Sequence, residues 1–203
     1  HRVDIVDVEV EAEGIVLDPR RPAGRVAEVE VPAAAIGEDA VMAVIAVEGE
    51  AEPDPAKASD HYIIFQGGMR GTPVIGLVDG KPSRIQEIIA KQGLAWTMNY
   101  NAQHEAALMH EPLLQLRTGE HVMLHMVNET DFFHPMHLHG HFFRVLAIDG
   151  KETPLREWRD TVIMAPRQSM DVAFVADNPG EWMYHCHILD HAAGGMMGTI
   201  VVE

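Results

Sequence analysis

Residues 185–191 read His185-Cys186-His187-Ile188-Leu189-Asp190-His191, and Gly195-Met196 follow closely. A thiolate between two imidazoles, with a third imidazole and a thioether just behind, is a soft, nitrogen-rich donor set. Two His, one Cys and a weak axial Met are the ligands of a blue-copper electron-transfer centre. More imidazoles stand upstream in His134-Pro135-Met136-His137-Leu138-His139. Together the two segments point to copper, and with it to oxygen chemistry.

The spacing says how the donors divide. In a strand, successive side chains point to opposite faces. His185 and His187 then point one way and Cys186 the other. The thiolate can bind one copper while the flanking imidazoles reach a different centre, with Cys186 as a short covalent bridge between them. His137 and His139 share a face by the same rule and can join His185 and His187. His134, three residues before His137, is expected to turn away at a bend stiffened by Pro135 and to join Cys186. A loop returning His191 and Met196 to Cys186 completes a trigonal His2Cys site with an axial Met. Zinc also suits Cys and His, but it gives no reason for a second His-rich centre behind the same Cys.

Elsewhere the histidines carry less meaning. His1, His61, His104, His110, His121 and His125 are expected to be structural or at the surface. His141 is expected to serve beside the ligands or at the surface. Most of the 12 methionines are expected to fill core space.

The chain has 203 residues, with 15 basic and 31 acidic side chains and a formal net charge of −16. Such a surface repels polyanions, so neither nucleic acid nor an anionic membrane is an expected partner. The single Cys excludes an internal disulfide. No apolar run reaches the ~18 residues of a membrane span, and no signal peptide is visible. The sequence opens at His1 without an initiator Met, a start expected of cleavage, truncation or splitting.

The rest of the sequence reads mainly as strands. Strands are expected over residues 3–10, 26–31 and 41–47, then a Pro-containing acidic linker over 53–60. Tyr62 to Phe65 reads as a strand. Ser83 as N-cap with Gln86 closing a capping box starts the one expected helix, which Gly93 ends. Val122, Leu124 and Met126 alternate with polar neighbours. Phe142 to Ile148 runs into an Asp149-Gly150 hairpin turn. Further strands are expected over 162–164, 172–175, 182–184 and 199–202. Short strands at this spacing imply an all-β antiparallel sandwich or Greek-key barrel with one short helix.

At HPMHLH and HCHILDHAAGGM the chain resembles the C-terminal cupredoxin domain of multicopper oxidases, whose members include laccases, cuprous oxidases and ascorbate oxidase. The resemblance implies that His134, Cys186, His191 and Met196 hold type 1 copper. It implies His137 for type 2 copper, and His139, His185 and His187 for the type 3 pair, within a complement of four coppers per complete site. Electrons would come singly from a small reducing substrate, a phenol, an aromatic amine or cuprous ion, and pass through Cys186 to a trinuclear cluster that reduces O2 to water. Residues 1–52 would be the tail of a preceding cupredoxin domain and 61–203 the C-terminal domain. Two further His-X-His motifs of the family are missing here, so an N-terminal portion or subunit must supply them. Many bacterial members carry Glu directly after the second type 1 His, to help deliver protons; here that position is Ala192. The expected location is periplasmic or secreted. The competing expectations are an electron-transfer cupredoxin and a copper-binding resistance protein without oxidase activity.

Overall fold

The computed structural model describes residues 10–11, 14–15, 50–68, 75–78, 81–102 and 111–203. The chain divides into two compact units, His1–Glu50 and Ala51–Glu203. In the first unit, β1 (Val10–Glu11) pairs antiparallel with β2 (Gly14–Ile15). The strands expected over 26–31 and 41–47, and all of that over 3–10 except Val10, lie outside the described residues, as does most of the stretch 1–52 read as the tail of another domain.

The second unit opens with β3 (Ser59–Gly67), the hairpin of β4 (Ile75–Val78) and β5 (Lys81–Arg84), and helix α1 (Ile85–Gln92). Then come β6 (Trp96–Met98), β7 (Leu114–Leu116), β8 (His121–Asn128), β9 (His134–Leu138), β10 (Phe143–Ile148) and β11 (Lys151–Glu152). The chain ends with β12 (Trp158–Arg159), β13 (Thr161–Met164), β14 (Ser169–Val175), β15 (Gly180–Cys186), α2 (Leu189–Ala193) and β16 (Met197–Val202). β3 starts at Ser59, inside the stretch expected as a linker. Just before it Pro53 is buried and Glu52 pairs with Arg144 at 2.7 Å.

Two sheets carry the fold. One has the order β11-β10-β14-β8-β3-β6, with β12 beside β10; the other runs β13-β9-β15-β16-β7. Most neighbours are antiparallel, as expected of an all-β sandwich, but β3 pairs parallel with β8 and β7 with β16. Parallel partners need long crossover connections, and the segments between β3 and β8 supply one. The inner faces of both sheets share one core. Val122, Leu124, Met126, Val172 and Phe174 face Met136, Leu138, Met164, Tyr184 and Cys186 in it. Each fully buried side chain of this size contributes about 1.5–3 kcal/mol. The expected alternation in β8 is observed, with Val122, Leu124 and Met126 buried and their neighbours half-exposed.

Two local expectations need correction. α1 starts at Ile85 with Arg84 in the cap position and no side-chain cap bond. Ser83 lies in β5 and its hydroxyl reaches the Lys81 carbonyl instead, so no capping box forms. The left-handed Gly93 does close the helix, φ 72°. Second, a short helix not expected from the sequence, α2, carries His191. No helix among the described residues is long and apolar enough to cross a membrane.

The turn after α2 is built on Gly194 and Gly195. The Gly194 carbonyl accepts from Ala95 N–H at 2.8 Å and Trp96 N–H at 3.0 Å, docking the entry to β6. Gly195 sits at φ +109°, and a Cβ there would lie 2.5 Å from the Trp96 carbonyl oxygen. Only glycine fits both constraints. Gly195→Ala should therefore cost about 1–3 kcal/mol in denaturant unfolding. Gly93→Ala, also at positive φ but with no atom within 4 Å of its would-be Cβ, should cost less. Equal losses would remove the close approach as the cause.

On the outer face of the larger sheet, His125 clasps three strands. Its Nδ1 lies 2.7 Å from Asp171 on β14, its Nε2 lies 3.0 Å from Asp60 on β3, and its ring stacks 4.6 Å from Tyr62. Burial disfavours the imidazolium, but hydrogen bonds and charge from Asp60 and Asp171 outweigh it and raise the pKa above 6.5. A His with a raised folded pKa stabilises fully below its unfolded value, and the gain fades as pH rises through the folded value. Replacing His125 by Gln should lower Tm most near about pH 5.5, with the deficit shrinking by about pH 8.5. A deficit independent of pH would mean that the ring acts by stacking alone.

Candidate metal centre

β15 runs between β9 and β16 in the smaller sheet. Its alternation puts Tyr184 and Cys186 in the core, leaving His185 half-exposed and His187, just past the strand, exposed. β9 alternates in the same way. His134, Met136 and Leu138 face inward, while His137 faces out and His139 follows on the same side. The register sets His185 opposite His137 and Cys186 opposite Met136. His134 thus separates from His137 by strand alternation within β9. The bend expected at Pro135 is not what parts them.

The inward cluster is tight. Cys186 Sγ lies 3.9 Å from Nδ1 of His134 and 3.9 Å from Nδ1 of His191, and those nitrogens are 3.1 Å apart. Among the described residues, only these three bring three such donor atoms within 4.8 Å of one another. Bonds of about 2.0–2.3 Å to one ion at trigonal angles would space nitrogen and sulfur donors about 3.5–3.8 Å apart. The donor set and its spacing fit a copper ion. Met196 is fully buried beside it: its N–H donates to the His191 carbonyl at 2.9 Å and its carbonyl accepts from Cys186 N–H at 3.1 Å. The expected return of His191 and Met196 is made by α2 and the glycine turn.

Apolar walls enclose this cluster. The Trp96 ring lies 4.4 Å from His191 and 5.0 Å from His134, and Phe65 is 6.2 Å from His134. Burial, with a smaller push from the charge of His191, depresses the His134 pKa to about 3. Burial also lowers His191, against the opposing charge of Asp190, and raises the Cys186 thiol. At neutral pH both imidazoles therefore offer lone pairs, as metal ligands must.

The outward cluster is looser. His139 Nε2 and His185 Nε2 approach to 3.1 Å. The rings of His185 and His187 stack 5.2 Å apart at 9°, and His137 lies 4.6 Å from His139 and 5.0 Å from His187. Burial, then the neighbouring imidazoles, lowers His139 and His187. His137 Nδ1 lies 3.0 Å from the Asp160 carbonyl, with the Thr161 hydroxyl at 2.9 Å. A carbonyl only accepts, so Nδ1 carries the proton and Nε2 is free. His185 does the same with the carbonyl of Cys186 at 3.0 Å.

Sequence reasoning named all the histidines of both clusters and missed their supports. Asp160 lies just before β13 and Thr161 opens it, and Thr161 pairs across the strands with His137. Trp96 comes from β6 in the other sheet. No spacing in the sequence ties these residues to the motifs. His1, His104 and His110 lie outside the described residues, and the other described histidines have other partners. His61 meets Glu120 at 2.9 Å, and His121 Nδ1 accepts from Asp54 N–H at 2.9 Å. His141 is buried between Phe174 and Trp182 and so is not at the surface. Asp131, which precedes the motif, is tied to Arg167 at 2.8 Å.

Known proteins resemble this chain. The profile of the multicopper oxidase family matches residues 78–203. The chain is 39% identical over 101 residues to the multicopper oxidase MmcO of Mycobacterium tuberculosis, covering 50% of this chain and 18% of that protein. It is 38% identical over 93 residues to copper resistance protein A of Pseudomonas syringae, covering 46% of this chain and 15% of that one. Among solved structures, a multi-copper oxidase from Pseudomonas thermotolerans superposes with a TM-score of 0.59 at 28% identity, covering 76% of this chain and 32% of the other. The chain thus spans less than a fifth of these curated relatives. Both histidine motifs and every strand from β7 onward fall inside the matched span, and on that match the chain belongs to the multicopper oxidase family.

Proposed function

We propose that this chain is the C-terminal cupredoxin part of a multicopper oxidase that takes single electrons from a small reducing substrate. In this reading His134, Cys186, His191 and Met196 hold type 1 copper. His137 serves type 2 copper, and His139, His185 and His187 serve the type 3 pair. An N-terminal portion with two more His-X-His motifs supplies the remaining ligands, and residues 1–52 are the tail of a preceding cupredoxin domain. The observation that carries the reading is the position of Cys186. Its side chain enters the buried cluster while the residues on either side of it face the outward one.

Bound copper supplies one-electron redox chemistry at the inner cluster and, at the completed outer cluster, the reduction of dioxygen to water. The protein's own residues set the conditions. Cys186 links the clusters through its side chain and the peptide bonds to His185 and His187, a path of few covalent bonds. Trp96, Phe65 and the core behind Met196 keep water from the inner cluster. The Asp160 and Cys186 carbonyls hold protons on Nδ1 of His137 and His185, which turns Nε2 of each outward. The outer cluster gathers no three donor atoms as closely as the inner one, as expected of ligands that share their ions with a second set.

Copper titration of the chain should give a single tight equivalent with an intense visible thiolate absorption, and no oxygen consumption. Cys186→Ser should lose that absorption while keeping the fold, read by far-UV circular dichroism. Adding the N-terminal portion should raise the count to four and start oxygen uptake. A Cys186→Ser protein that stays blue, or four coppers and turnover on the chain alone, would refute the assignment. Full copper loading with no oxygen uptake would instead favour a simple electron carrier. Separately, Met196→Leu should stay blue and shift the reduction potential upward, because a weak axial ligand tunes the ion more than it holds it. Loss of the inner copper in that variant would mean that Met196 is a holding ligand.

A further inference from the structure

Just before β9 a small polar network is buried against His134. Asn128, Thr130 and His134 are each no more than 1% exposed. The Asn128 amide group donates to the carbonyls of Phe132 and Ala165, both at 2.8 Å. Carbonyls only accept, so these contacts fix which end of the amide is nitrogen. Oδ1 therefore faces Thr130, accepting its N–H at 2.9 Å and lying 2.7 Å from its hydroxyl. Thr130 Oγ1 also accepts from Phe132 N–H at 3.2 Å and lies 2.7 Å from His134 Nε2.

A hydroxyl has one proton and two lone pairs. Its proton goes to Asn128 Oδ1, an obligate acceptor at 2.7 Å. The only other acceptor in reach is the Phe132 carbonyl at 3.3 Å, and using it leads to the same result. One lone pair takes Phe132 N–H. The other faces His134 Nε2, which must then carry a proton. The opposite arrangement would have Thr130 donate to His134, leaving two oxygens 2.7 Å apart with no proton between them, a buried repulsion. Flipping the Asn128 amide to relieve it would set an NH2 group against the Thr130 N–H and leave two half-buried carbonyls without their donor. A neutral imidazole protonated on Nε2 has its lone pair on Nδ1. That nitrogen is the one 3.9 Å from Cys186 Sγ and 3.1 Å from His191 Nδ1.

We propose that Thr130, aligned by Asn128, is a positioning residue that locks His134 in the Nε2–H tautomer and so presents Nδ1 toward Cys186 and His191. Neither residue belongs to the histidine motifs. The tautomer rests on hydrogen-bond geometry alone. Its consequence for copper rests on the reading of His134 as a type 1 ligand.

Two measurements on the 203-residue chain separate these layers. Two-bond nitrogen–proton NMR of the metal-free chain, labelled with 15N-histidine, reports the tautomer directly. Nε2–H is expected for His134 in the wild type and in Thr130→Ser, which keeps the hydroxyl. Thr130→Val should shift the population toward a mixture. In cupric titration, Thr130→Val should weaken the tight equivalent about 10–100-fold and move the thiolate absorption band, while Thr130→Ser restores both. A wild-type His134 protonated on Nδ1, or a Thr130→Ser protein that loses the Nε2–H form, would overturn the proposal without any use of the valine variant. So would a folded Thr130→Val protein with unchanged tautomer and unchanged copper affinity. If the tautomer is as expected but the wild type binds copper without thiolate absorption, the type 1 reading falls and the tautomer lock loses its proposed role.

Discussion

Everything at this centre depends on the pairing register of β15 with β9. His185 faces His137 and Cys186 faces Met136 across that pair, and β16 holds the other side of β15 from Gly180 to His185. A slip by one residue would turn every side chain of β15 to the opposite face. It would put the thiol in water and two imidazoles in the core. The register is held by burial, because Tyr184 and Cys186 are within 1% of full burial and Met136 and Leu138 pack with them. Tyr184 adds a polar anchor, its hydroxyl donating to Met126 Sδ of the opposite sheet at 2.9 Å. The sandwich core and the separation of the two donor clusters are thus one constraint.

Burial has opposite effects on the two kinds of donor. It keeps the imidazoles neutral, His134 most of all, and it keeps the thiol protonated. A metal ion offsets both costs, since it takes the lone pairs and stabilises the thiolate after the proton leaves. The outer cluster is set differently. Four imidazoles stand close together at the surface of the sheet, with carbonyls of Asp160 and Cys186 orienting two of them. Burial and, after it, the neighbouring imidazoles lower the pKa of His139 and His187, so those two keep their lone pairs available.

Polar groups around the site are paired almost throughout, as buried polar groups must be. The Asn128–Thr130 network, in the turn before β9, joins two carbonyls, two N–H groups and the His134 imidazole. The glycine turn after α2 works in a similar way from the far side, tying Gly194 to β6 and Met196 to both His191 and Cys186. Two loops from different parts of the chain therefore fix the ends of the same donor set.

Period-two alternation made much of this legible in the sequence. Cys186 between His185 and His187 predicts opposite faces with no further knowledge, because a strand's side-chain period is two and does not depend on context. The same rule placed Val122, Leu124 and Met126 in the core, and the two histidine motifs pointed to the family. Local readings that compete with tertiary contacts went astray. Ser83 has the chemistry of an N-cap, yet pairing with β4 holds it in a strand. α2 is too short to leave a periodic signal. Pro135 suggested a bend where β9 stays extended. The supports of the site were invisible for a different reason. Trp96, Asp160 and Thr161 meet the histidines only because strand pairing and sheet packing bring distant segments together, whereas Asn128 and Thr130 lie close before His134 but carry no periodic signal of the bond they make. Residue types and spacing determined which atoms can bind copper, since coordination chemistry is local. The tertiary structure alone decided which nitrogen each imidazole offers and how dry its surroundings are, since those depend on neighbours from other strands.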